Sequence, residues 1–168
     1  MKTKKLAFCA LISALSILFL YLSYVIPTGK AALYTVSSVF LAAVVLEAGL
    51  RGGLLSYASV SVLALLMIPD KIFVLPFVLF FGYYPVVKLL CESRIKNRFL
   101  EYLAKFLWGN AAFWAVWFLG QSLFSLVLEK LPLLLFYLAA NVFFFLYDYA
   151  FTLLIHWYQK RIRSRIRF

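Results

Sequence analysis

Acidic residues are scarce in this chain: six Asp and Glu stand against 17 Lys and Arg over 168 residues. Cysteine and histidine are scarcer still, with two of the first and one of the second. Two thiols make no disulfide framework, and two cysteines with one histidine offer no metal-ligand spacing, so neither a cofactor nor a metal is expected. No linker, low-complexity tract or second domain interrupts residues 1–168, which read as a single domain. Nothing pairs a nucleophile with a base; His156 has only Asp148, two turns away on the same helix face, and the chain is not expected to be an enzyme.

What the chain has instead is apolar surface. Hydrophobic residues make up 66% of it, against about 45–50% in soluble domains. A net charge of +11 would by itself suggest nucleic acid, but here the charge lies between long apolar runs and at the ends. That distribution points to a lipid bilayer as partner and not to nucleic acid. A transmembrane helix needs about 20 apolar residues to cross a core of about 30 Å. Six runs meet or approach that length, at 6–27, 31–50, 52–69, 71–91, 103–128 and 131–158. Short separators divide them: "PTGK" at 27–30, "GLRGG" at 49–53, "PDK" at 69–71, "CESRIKNR" at 91–98 and "EK" at 129–130. The runs are long and do not alternate, which favours helices over a barrel. The expected fold is an all-α polytopic bundle of six transmembrane helices, with a tight hairpin between the second and third.

Lys and Arg favour the cytoplasmic side. With the N-terminus inside, the inner segments hold fourteen basic residues, from Lys2, Lys4 and Lys5 to the tail "QKRIRSRIRF", and the outer loops only Lys30, Lys71 and Lys130. Both termini are therefore placed in the cytoplasm of a cell-membrane protein. The first run resembles a signal peptide in its basic start, but it is too long and lacks a small-residue cleavage site. Cys9 and Cys91 fall near the cytoplasmic side, where thiols stay reduced, so no disulfide is expected. The basic tail follows the last span directly, where each Lys or Arg near an anionic leaflet contributes about 1 kcal/mol.

Polar residues within the runs follow helical spacing. Tyr137, Asn141, Asp148, Thr152 and His156 share one face of the sixth span, Asn110, Trp114, Trp117, Gln121 and Ser125 one face of the fifth, and Phe73, Phe77, Phe80, Tyr84 and Lys88 one face of the fourth. Polar atoms in lipid are costly unless paired, so these faces should turn inward. Counted from the outer end of each span, Glu47, Lys88, Asn110 and Asp148 lie at roughly one depth, about 24–27 Å down at 1.5 Å per residue. They form an expected intramembrane polar layer, with Lys88 as partner for Asp148 and Arg51 one turn from Glu47. Pro85 should bend the fourth helix above Lys88 and free a carbonyl in that layer. The layer reads either as a structural clamp or as a site for substrate, ion or coupling. Nearer the outside, Trp114, Trp117, Gln121 and Asn141 combine aromatic walls with amides, as a small organic ligand would require.

The first helix carries small residues four apart, Ala10 and Ala14 in "ALISA", a spacing that lets another helix approach closely. A Lys-rich start, this A-x-x-x-A helix, the Gly-rich turn in "LEAGLRGGLLSYASVSVLALL" and six helices in so short a chain resemble the substrate-binding S components of energy-coupling-factor (ECF) vitamin transporters, which are bacterial membrane proteins. The resemblance implies that Ala10 and Ala14 pack on a transmembrane coupling subunit that works with ATPase subunits. In that family the first loop is often a lid over a substrate held near the outer face, whereas here it is only "IPTGK" and the charged layer lies deep. The alternative is a non-transporting scaffold or accessory subunit of a cell-envelope complex. The charge asymmetry makes a direct prediction. A cysteine introduced at position 96 should react with a membrane-impermeant thiol reagent only in opened vesicles, and reaction in intact cells would reverse the topology.

Overall fold

The computed structural model describes residues 2–124 and 133–163. The expected outer ends of the fifth and sixth spans, with Ser125, the turn at 129–130, and Arg165 and Arg167 of the tail, lie outside the described residues. Five α-helices carry the described chain: α1 (Lys2–Val25), α2 (Lys30–Met67), α3 (Tyr84–Arg94), α4 (Arg98–Phe124) and α5 (Leu133–Tyr158). A 3-10 turn, Lys71–Phe73, and a π-helical turn, Phe77–Phe81, lead into α3, and a second π turn, Gln159–Arg163, extends α5. No strand occurs among the described residues.

Among the described residues four segments are long and apolar enough to cross a membrane: Thr3–Val25, Lys30–Met67, Lys71–Arg94 and Tyr137–Arg161. Large apolar side chains point outward along them, including Leu6, Leu11, Leu55, Leu66, Phe145 and Trp157. That outer surface fits a multi-pass membrane protein, because a soluble one would bury it. Helix α4 is not among the four. It has the length of the expected fifth span, but Trp108, Trp114, Trp117, Asn110 and Gln121 lower its apolarity.

The 38 residues of α2 would reach about 57 Å if straight. They do not, because Gly49 leaves the helix with φ 73° and ψ −174°. Residues eight apart in an unbroken helix are about 12 Å distant; here a Cβ on Gly53 would lie 2.3 Å from Val45 Cγ2. The chain thus doubles back at Gly49, inside the "GLRGG" run, and α2 is two legs, 30–48 and 50–67. Helix α1 packs along both. Ser16 and Ser37 clasp it to the first leg: each hydroxyl donates to the other's backbone carbonyl, at 3.0 and 2.9 Å. Its Cys9, Ser13 and Ile17 face Gly52, Ser56 and Leu63 of the second leg.

The stretch that follows is irregular, and each irregularity has a partner. Lys71 Nζ donates to the carbonyls of Leu65 and Ile68, closing the C-terminus of α2 where a cation is favoured. In the π turn the Gly82 amide reaches back to Phe77 O at 2.7 Å, so Val78 O loses its usual donor and accepts from Tyr57 at 2.7 Å. Pro85, in the first turn of α3, has no N–H to offer Phe81 O, and Ser38 Oγ donates there instead. The freed carbonyl expected from Pro85 is therefore used to bind the first leg of α2. The core runs through these contacts, with Leu20, Leu41, Val60, Phe77, Tyr84 and Phe151 fully buried. Only glycine takes the Gly49 conformation without strain of about 1–3 kcal/mol. Gly49→Ala should therefore lower the melting temperature in detergent by several degrees, and an unchanged value would show that the reversal does not depend on positive φ.

Candidate functional site

Lys88 lies one turn beyond Tyr84 on α3, and Asp148 on the inward face of α5; their exposures are 1% and 7%. Lys88 Nζ meets Asp148 Oδ1 at 2.7 Å, Glu92 Oε1 at 2.8 Å and Thr152 Oγ1 at 2.9 Å. An ammonium has three N–H donors, so all three are used. Asp148 Oδ1 also accepts from the Tyr84 hydroxyl. From α4 comes Lys105, 2% exposed, which bonds Glu92 at 2.9 Å and Glu101 and stands 4.0 Å from Asp148. Two ammoniums and three carboxylates from three helices thus form one cluster. Just above it the Tyr147 hydroxyl pairs with Ser38 Oγ at 3.0 Å.

Burial decides what such a cluster costs. Taking an ion out of water is expensive by several kcal/mol, and only close partners and hydrogen bonds offset it. Lys88, Lys105 and Asp148 are the buried members, and each cation touches at least two acceptors. Glu92, with its side chain 41% exposed, is the member nearest to water. Beside it is a small cavity of about 80 Å³ reaching Lys88, Val45 and Gln159.

The expected polar layer is only partly assembled. Lys88 and Asp148 meet as anticipated. Asn110 does not join them: it donates to Asn141 Oδ1 at 3.2 Å and accepts from Tyr137 at 2.6 Å, in a separate network. The reason is the start of α4. The helix begins at Arg98, so Lys105 is already well inside it and meets the depth of Asp148, and Asn110 sits more than a turn further on. Glu47 lies beside the Gly49 reversal, where its backbone carbonyl accepts from Lys5 at 3.3 Å. The fifth-span stripe turns inward only in part: Asn110 and the Trp114 ring meet Tyr137 of α5. Trp114 is 47% exposed and Gln121 is exposed, because α4 packs through Lys105, Trp108, Gly109 and Ala112. Trp117 is half-buried and stacks on Phe113, and Asn141 is hydrogen-bonded to Asn110 across helices. His156, on the sixth-span stripe, is exposed.

Tyr84, Glu92 and Lys105 were legible as partners only in hindsight. Tyr84 shares the Lys88 stripe, and Glu92 and Glu101 each stand four residues from a lysine, the spacing of an ion pair on one helix face. Comparison with protein-family models, with characterised proteins and with solved structures gives no match to this chain. What the arrangement does chemically is to hold α3, α4 and α5 together through charge.

Breaking one member of a buried pair typically costs about 3–5 kcal/mol, whereas replacing both is often near neutral. Asp148→Asn and Lys88→Met should each destabilise strongly in detergent, and the double variant should recover much of the loss. Single variants as stable as the parent would mean that the pair contributes nothing.

Proposed function

We propose that the chain is a six-pass subunit of the bacterial cell membrane, with both termini cytoplasmic, and that it serves as the substrate-binding component of an ECF-type uptake transporter. The six passes follow from counting α2 as two legs and α4 as a crossing, its 27 residues being long enough at about 40 Å. The observation that carries the function is a cleft of about 630 Å³ between α1 and the second leg of α2. Cys9, Ala10, Ser13 and Ala14 line one wall, and Gly52, Ser56 and Ser59 the other. Ala10 and Ala14 are exposed in it. Small residues on an open face let a second helix approach closely, as a transmembrane coupling subunit would.

The second reading, a non-transporting scaffold of a cell-envelope complex, draws on a different observation. Every donor of Lys88 is already engaged within the protein, which leaves that ammonium nothing to offer a substrate.

Purification of the tagged chain with its associated proteins separates the two. The transporter reading expects an ATPase pair with its coupling subunit, lost in the Ala10→Leu/Ala14→Leu variant while the isolated protein melts as the parent does. Cell-wall enzymes in their place would support the scaffold. A fall in melting temperature of the isolated variant would show that the alanines pack inside the bundle instead.

A further inference from the structure

Away from the ion cluster and from the α1 cleft, a cavity of about 160 Å³ lies between α4, α5 and the π turn. Its walls are rings: Phe80 and Phe81 from the π turn, Phe113 from α4, Phe143 and Phe144 from α5. Among the described residues no charged or polar side chain lines it. The space is bordered by Ala112 and Ala140, where larger residues would fill it. Gly109 cannot grow, since a Cβ there would come 2.9 Å from the Phe144 ring. The π turn contributes too, by inserting an extra residue per turn and swinging Phe80 and Phe81 to the same side, a distortion often found at functional sites.

We infer that this cavity is a binding site for a neutral, single-ring aromatic group. Size and lining both select for it. An apolar cavity of about 150 Å³ accepts benzene, and this one, half-open with Phe143 39% exposed in its wall, has room for one ring. Rings gain from offset or edge-on contact with other rings, and aromatic side chains from three elements supply both. A charged ligand would leave its ion without a partner among phenylalanines. Trp114, Trp117 and Gln121 do not line the site, although Trp117 stacks on Phe113 of its wall. It is tied to the ion cluster through aromatic contacts: Phe80 stacks on Tyr84 with centroids 5.8 Å apart, and Tyr84 donates to Asp148. Phe80 also stacks on Trp108 at 5.4 Å, so occupancy has an optical reporter. The inference holds for either reading of the chain's role.

The test is thermal unfolding of the purified protein in detergent, with benzene, toluene and benzoate as probes. Benzene and toluene should raise the melting temperature by a few degrees in a saturable way, and benzoate should not. In Ala112→Phe, which puts a ring of its own into the cavity, the rise should disappear while the unliganded protein melts no lower than the parent. Should that variant fail to fold, Ala140→Leu fills the same space. Equal shifts in parent and filled variant would mean partition into detergent and would overturn the site, as would a benzoate effect matching that of toluene. Native mass spectrometry closes the remaining route: a phospholipid retained by the parent and lost from the filled variant would give the cavity to an acyl chain and defeat the proposal.

Discussion

The Lys88 ammonium is surrounded by apolar helices, and that single fact governs the packing of half the bundle. In such surroundings water is not at hand to take a lone N–H, so each of the three must find oxygen within the protein. Asp148 and Thr152 from α5 and Glu92 from its own helix provide it. Lys105 then repeats the arrangement from α4, sharing Glu92. Because partners lie on different helices, none of the three can slide without stranding a charge. Apolar packing sets no such condition, since one leucine in lipid is much like another. The ion cluster thus selects one register for α3, α4 and α5 among the many that greasy surfaces would allow.

The same scarcity of water explains the segment between α2 and α3. A π turn followed by a proline leaves backbone carbonyls without their helical donors, and Tyr57 and Ser38 supply hydroxyls to two of them. These bonds link the second and first legs of α2 to the broken helix, so the irregular backbone is also the place where the two halves of the bundle join. The break presents Phe80 and Phe81 to the aromatic cavity and Tyr84 to Asp148 from adjoining turns of one chain. Cavity and cluster are therefore neighbours by construction. The α1 cleft is separate, built on the opposite half by α1 and the second leg of α2.

The two halves are built differently. One, held by charge and hydroxyl bonds, keeps a defined interior. The other presents small residues along a shallow cleft. Serine hydroxyls between α1 and the first leg keep that face aligned. Such bonds average about 0.6 kcal/mol each in membranes, enough to set register but modest beside a buried ion pair.

Much of this was legible in the residues. Apolar runs of membrane length specify helices because only helices and closed barrels satisfy the backbone in lipid and these runs do not alternate, and glycines in "GLRGG" mark where a run too long for one crossing must turn. Lys88 and Asp148 could be paired in advance, since each is the lone charge on a polar stripe of helical period. Depth was the weaker coordinate. It depends on where a helix starts, and the start of α4 at Arg98 brought Lys105, not Asn110, to Asp148. Face was weaker again for α4: Trp114 and Gln121 follow the same period as Asn110, yet tryptophan is at home on either side of a helix in a membrane, so period alone could not orient it. The cavity was not legible at all, because it is made by what three elements fail to fill. Periodicity is a property of one helix, and sequence determines it. Which helices meet, at what depth, and what space remains between them depends on the sum of their contacts, and only the tertiary structure decides that.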